Sequence, residues 1–380
     1  MDERMNLLCA DLMKEIREAL AFGNEGKIPI LKSATEANTP RLNIYRILET
    51  AEGLRLLSLA ADKAHRVSDV NSDFENFEEL LCLLPKLSGT AYFRYAVTAL
   101  DTFSGCQGSI DPTEAENLWT EANRRLTCMK TDGAYRSVSV TGIEPLLYPD
   151  ADLLREYPSL DAYASHCMEA LTECDAVRID LTDLCFQRPD PYHAECGFRA
   201  ACAGEATAES RMWLASQLLR IIGGACRERG IVWILSGYPS ANTEELLGYL
   251  KRNERLPRVM LSVSLASANA VDTVLRSAEQ YRVLELCSGV VISDVLSSPM
   301  QALYEAFRTL TKRYPIGSLT YLPVGETQVE NLIEYTQLLH LLSLVLSEAV
   351  CFGDCADKES AALIGRDLLY RNAERMLSRC

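Results

Sequence analysis

Histidine is scarce. The 380 residues hold four, His65, His166, His193 and His340, and this bears on metal chemistry because neutral imidazole is the commonest metal ligand. None falls at the end of a stretch that reads as a barrel strand. His340 sits in a Leu-rich helical run and reads as a packed or partly exposed helix residue. His193 reads as a surface-loop residue after the run DAVRIDL, with access to a site at the strand ends. Basic charge is also short. Lys and Arg number 38 against 53 Asp and Glu, a net charge of -15, which repels phosphate backbones and anionic membrane surfaces. Nucleic acid and membranes are therefore not expected partners, and an anionic substrate would need a local Arg cluster. The chain has no CxxC pair. Its fourteen Cys are scattered, and Cys351 and Cys355 lack a second pair or a His to complete a zinc set, so they read as small buried hydrophobes in a reducing cytoplasm. The apolar stretch LLHLLSLVL falls short of the ~20 residues a membrane span needs. The charged, amphipathic N-terminus MDERMNLLCADLMKEIREAL reads as a surface helix and not a targeting segment.

What the chain does have is apolar content of 48% with no biased tract, the profile of a soluble globular protein. The first third is helical in pattern: LNIYRILETAEGLRLLSLAADKA, FENFEELLCLLPKL, TAYFRYAVTALDTF and DPTEAENLWTEANRRL carry apolar residues three and four apart. In the last of these, Asp111, Pro112 and Glu114 spell out a helix start. From about residue 134, short β-branched runs alternate with helical ones: YRSVSVTG, DAVRIDL, GIVWILSG, RVMLSVSL, VVISDV, GSLTYLPV and EAVCFGD. AESRMWLASQLLRIIGGACRERG ends on the helix stop Gly230. Apolar strands separated by helices imply a parallel sheet. With KIPIL they make eight, the count of a closed (β/α)8 barrel. An open doubly wound sheet is the alternative, but no Gly-rich phosphate loop follows any strand. The expected organisation is a first strand and N-terminal helix in 1–37, an α-helical insertion in 38–127, and the rest of the barrel in 128–380.

Three stretches carry a family likeness: GTAYFRYAVTALDTFSG with the DPTEAENLWTEAN helix, ACRERGIVWILSG, and CFGDCADKESAALIGRDLLYRNAERML. In order and spacing the chain resembles uronate isomerases, sugar-acid isomerases of the amidohydrolase superfamily of metal-dependent barrels. Gly353, Asp357, Arg366, Tyr370 and Arg371 match the family's pattern at the last strand and helix without a gap. The resemblance implies a metal-dependent-hydrolase type of barrel, a uronate as substrate, and aldose–ketose interconversion between C1 and C2 over a divalent metal such as Zn, Mn or Mg. The family's strand-1 His-x-His falls on Ala34, Thr35 and Glu36, so of the metal set only Asp357 remains. The Arg two residues past the metal Asp is Glu359, and the Arg before a Pro after an early strand is Glu144. The family's Trp pair falls on Thr320 and Tyr321, and a His at a middle strand's end falls on Ser236. Tyr321, Ser236 and Arg366 are thus the expected substrate contacts, and Asp357, Glu36, Glu359 and Glu144 the candidate catalytic carboxylates.

Asp357 has two readings. It caps the helix KESAALIGRDLLYRN, or with Glu36 and Asp180 it forms an oxygen-rich site for a hard divalent cation. Ser236-Gly237 lacks a partnered His, so no nucleophile elbow is supported. Three functions follow. One is a divergent barrel with impaired or lost isomerase activity and no cofactor, kept for sugar binding or assembly. Another is an active glucuronate isomerase. The third is an enzyme of changed specificity acting through carboxylates on a neutral or cationic substrate. A cytoplasmic homo-oligomer with a sugar or sugar-acid ligand is the expected setting.

Overall fold

The computed structural model describes residues 3–22, 28–31, 43–62, 65–106, 110–128, 135–182, 184–296, 298–322 and 328–377. It opens with helix α1 (Glu3–Phe22) and strand β1 (Ile28–Leu31), then runs through α2 (Ile44–Leu48), α3 (Ala51–Ala60), α4 (Asp73–Leu83), α5 (Ala91–Ser104) and α6 (Ala115–Cys128). Strands β2 (Tyr135–Val138) and β3 (Val140–Gly142) follow, then α7 (Glu144–Leu147), α8 (Ala151–Leu154), α9 (Leu160–Ala170) and β4 (Ala176–Asp180). After α10 (Pro191–Ala203) and α11 (Ala208–Arg229), strands and helices alternate: β5 (Val232–Ser236), α12 (Ala241–Arg252), β6 (Val259–Ser264), α13 (Ala268–Gln280), β7 (Gly289–Ser293), α14 (Met300–Thr311) and β8 (Leu319–Tyr321). The chain ends in α15 (Gln328–Phe352), α16 (Lys358–Arg366) and α17 (Asn372–Leu377), the last two joined by a wider π turn over Asp367–Arg371.

All pairing among these strands is parallel. β1 pairs with β2, and β3 to β8 form one sheet in sequence order. The run YRSVSVTG, expected as one strand, is broken at Ser139. Its carbonyl accepts from Asp175 N and Ala176 N, and its own N–H donates to Asp175 Oδ2 at 3.0 Å. One half therefore pairs with β1 and the other with β4. The expected eighth strand does not form: EAVCFGD is the last turn of α15 and the bend after it. Among the described residues β8 and β1 do not pair; α15 packs on β1, and the π turn packs on both strands. Asn372 Nδ2 completes the edge of β8 by donating to the carbonyls of Gly317 at 3.0 Å and Leu319 at 2.6 Å. A short run of Leu and Val suits a buried strand and a buried helix equally, and here the helix is apolar nearly all round. The stretch Val329–Phe352 is long and apolar enough to cross a membrane, and its most apolar part is mostly buried inside the protein.

Strand residues alternate between two cores, as the pleat requires. Val138, Ala176, Val232, Ile234, Met260, Val291 and Leu322 gather with Ala373 and Leu377 of α17 in a small inner core. Val177, Ile179, Trp233, Leu235, Leu261, Ile292 and Tyr321 face the larger core beneath the surrounding helices. A third core unites α2 to α6 with Leu332 and Ile333 of α15. In that region LNIYRILETAEGLRLLSLAADKA divides in two, because Thr50 caps α3 by accepting from Gly53 N at 3.0 Å. Asp111 caps as expected, accepting from Thr113 N at 2.9 Å, although the first turn is a 3-10 turn. Gly230 ends α11 at φ 71°, the left-handed stop. The amphipathic α1 is no mere surface helix, since Leu12 and Ile16 are fully buried. The expected domain boundary at 37/38 lies outside the described residues.

Candidate functional site

The C-terminal ends of the strands, where barrel enzymes place their sites, surround a cavity of about 450 Å³. Period-two alternation builds its wall. In β4, Arg178 and Asp180 share the inward parity of Ala176, and both line the cavity; in β5, Ile234 and Ser236 do the same. Ser262 of β6 and Ser293 of β7 join them, with Ser262 Oγ donating to Ser293 Oγ at 3.0 Å. Asp294 turns the chain out of β7 at φ 56°, and Glu144 enters from the first turn of α7.

Two of the carboxylates are fixed by main-chain donors. Glu144 Oε1 accepts from Asp180 N at 2.8 Å, and Asp180 Oδ1 accepts from Thr182 N at 2.8 Å. Gly237 takes φ +90°, and a Cβ there would come within 3.1 Å of Thr182 Oγ1 and 3.2 Å of Asp180 Oδ1, so this corner needs glycine for both backbone and space. Ser236 Oγ donates to Ile179 O at 3.3 Å. Arg178 is exposed in the cavity, and among the described residues its guanidinium has no hydrogen-bond or ion-pair partner. Among the described residues, one guanidinium thus shares the cavity with three carboxylates.

Behind this wall lies a buried acid. Glu334 of α15 is 7% exposed and accepts from Tyr321 Oη at 3.2 Å. Burial pushes its carboxyl up to about 7; the Tyr321 hydrogen bond opposes this, and the charges of Asp294 and Glu330 add to it.

The structure brings Glu144, Asp180 and Ser236 together and, among the described residues, leaves the other expected ones apart. Tyr321 points outward, 1% exposed against α15, because its parity in β8 is opposite to that of the lining residues. It does not line the cavity. Asp357 accepts from Ser360 N at 2.7 Å and caps α16, and the bonds from Ser360 hold its carboxyl below the usual range. It is exposed, as are Asp354 and Glu359. The long α15 separates this turn from the barrel mouth: Phe352 is about 27 Å along the helix from Glu334, at 1.5 Å per residue. Arg366 ends α16, half-buried and outside the cavity wall. Ala34 and Glu36 lie outside the described residues. Asp357→Ala is expected to lower stability by about 1 kcal/mol, the worth of a cap, with ligand affinity unchanged in calorimetric titration.

Sequence reasoning missed Arg178, Ser262, Ser293 and Asp294. The signal was present: polar residues at alternate positions toward the ends of otherwise apolar runs, AVRID, VMLSVS and GVVIS.

No protein-family profile matches the chain, and no curated protein matches it in sequence. Solved structures do match. A uronate isomerase from Thermotoga maritima is similar at a TM-score of 0.68 and 12% identity, over 97% of each chain. A glucuronate isomerase from Caulobacter crescentus is similar at 0.66 and 12% identity, over 99% of this chain and 95% of that one. This chain has the uronate isomerase fold. A protein assigned as a metal-dependent hydrolase from Lactobacillus casei is similar at 0.52 and 11% identity, over 94% and 97%. The barrel fold is therefore shared with these proteins, with helical segments at the seam where the eighth strand was expected.

That fold family raises the question of a divalent metal, and the described residues of the mouth offer carboxylates and no imidazole. Among the described residues, no three His, Cys, Asp or Glu side chains gather as ligands. The four imidazoles are elsewhere. His340 Nε2 lies 2.9 Å from Asp101 Oδ2, His65 Nδ1 lies 3.1 Å from Glu79 Oε2, and His166 packs against Tyr157 and Tyr163. His193, expected in a loop, is in the first turn of α10 and stacks on Trp213.

Proposed function

We propose that this barrel binds a neutral polyhydroxylated small molecule, a sugar or polyol, at the strand ends, and that it does not interconvert uronates over a metal. The observation that carries the reading is the charge of the mouth: among the described residues that line it, Glu144, Asp180 and Asp294 stand against Arg178 alone. A uronate carboxylate would meet a net negative field there, inside a chain whose overall charge is -15. Sugar hydroxyls suit the same groups. They donate to fixed carboxylates, accept from the free guanidinium of Arg178, and do either with Ser236, Ser262 and Ser293. The volume, about 450 Å³, is that of a small-molecule site.

Calorimetric titration of the whole chain with aldohexoses, alditols and glucuronate tests this. Neutral polyols are expected to bind more tightly than glucuronate, and Arg178→Gln to weaken them about tenfold, the loss of one charge-assisted hydrogen bond. Glucuronate binding more tightly than any neutral sugar, with the preference lost in Arg178→Gln, would overturn the reading.

A further inference from the structure

The two sides of the mouth differ in kind. The strand ends present charges and hydroxyls, while α7 and its C-terminal cap bring Tyr148, the one aromatic side chain among the described residues that line the cavity. A tyrosine carries a large apolar body that a core ordinarily takes up. Tyr163 and Tyr321 are used in that way, 0% and 1% exposed, whereas Tyr148 is 40% exposed. Its place in the chain is fixed by the same turn that carries Glu144. Tyr148 N donates to Glu144 O at 2.9 Å and closes α7, and Ile143 N donates to Arg178 O at 3.0 Å, tying the start of that turn to β4. Leu147, 2% exposed, seats the turn in the core, and Tyr163 Oη donates to Leu146 O at 3.0 Å. With Glu144 Oε1 held by Asp180 N at 2.8 Å, the main chain at Tyr148 is braced against the strand that supplies Arg178 and Asp180.

Taking the mouth as the neutral-sugar site of the preceding reading, on which this rests, we propose that Tyr148 sets its specificity for the closed pyranose ring over the open chain. An aromatic face is the negative side of a quadrupole. A pyranose turns a row of weakly positive C–H groups to one face and sends its equatorial hydroxyls outward near the ring plane. Laid on the tyrosine, the ring keeps those hydroxyls for the carboxylates, Arg178 and the serines. An open-chain polyol of the same carbons has no such flat apolar face, and it must freeze the rotors along its chain on binding. The polar groups alone do not make this distinction, because the hydroxyls of either form satisfy them.

The test is calorimetric titration of the full chain with the methyl pyranosides of glucose, galactose and mannose, which cannot open, and with the matching alditols. At least one pyranoside is expected to bind about tenfold more tightly than its alditol, the worth of one aromatic face contact together with the rotors spared. Tyr148→Ala should close that gap. Tyr148→Phe, which keeps the face and loses the hydroxyl, should retain it. Tyr148 is partly exposed, so neither change opens a hole in the core, and the unfolding midpoint of each variant checks this. Alditols bound as tightly as pyranosides by the parent chain, or a gap that survives in Tyr148→Ala, would overturn the proposal and leave the neutral-sugar reading standing. If no member of either set bound the parent chain, that reading would fall and the proposal with it.

Discussion

Asp101→Ala should destabilise the protein by about 3–5 kcal/mol, the cost of removing the buried carboxylate that offsets the Arg94 charge across the His340 ring. The Asp101 side chain is 1% exposed and lies 2.9 Å from His340 Nε2, while the other ring nitrogen, Nδ1, faces Arg94 Nη2 at 2.6 Å. The arrangement assigns the ring proton to Nε2, leaving Nδ1 to accept from Arg94. Gln337 Oε1 accepts from Arg94 Nε and from Thr98 Oγ1, each at 2.7 Å. Burial already pulls the Arg94 guanidinium down, and the charge of Asp101 opposes that. Removing the carboxylate leaves the half-buried guanidinium without the Asp101 charge across the imidazole. The network ties α5 to α15, so the loss should show in urea unfolding as a lower midpoint, with Asp101→Asn losing less because it keeps the shape and an acceptor. A loss below about 1 kcal/mol would place the network with exposed ion pairs, which contribute little.

The second large effect is a pH dependence set by Glu334. Its carboxyl is raised from 4.5 to about 7, first by burial, then by Asp294 and Glu330, against the hydrogen bond from Tyr321. Between those two values the folded chain binds the proton and the unfolded chain does not. Stability from this group is therefore fully present below about pH 4.5 and is lost as pH rises through about 7. The shift corresponds to on the order of 3 kcal/mol. Glu334→Gln keeps the acceptor for Tyr321 and removes the charge, so the variant should be more stable than the parent above pH 7 and should lack that part of the slope. Superimposable stability profiles for parent and variant between pH 5 and 8 would contradict this. Because Asp294 lines the mouth, the same proton senses the charge of the site.

Much of the barrel was legible because its strands are short apolar runs bounded by helix stops such as Gly230. The last strand was not, because EAVCFGD continues a Leu-rich segment whose burial on all sides erases the helical stripe that would have marked it. Side-chain parity decided which residues reached the mouth. Ser236 and Glu144 fell on the inner face or its rim, Tyr321 on the outer one, and Arg178 went unnoticed inside an apolar strand. Of the two readings of Asp357, the cap is the one it forms: the local signal, a carboxylate three residues before Ser360 at the start of a helix, prevails over the match to a family pattern. Glu36 and Ala34 fall outside the described residues, so the strand-1 position stays an expectation from the sequence.

The central claim is that the mouth is a sugar site without the family's metal chemistry. Its most direct test is the metal content of the purified chain by inductively coupled plasma mass spectrometry, after dialysis against zinc, manganese and magnesium, read beside glucuronate turnover in the same samples. The account predicts metal well below one per chain and no turnover in any sample. One metal per chain, with glucuronate converted at a rate that follows the metal, would contradict it.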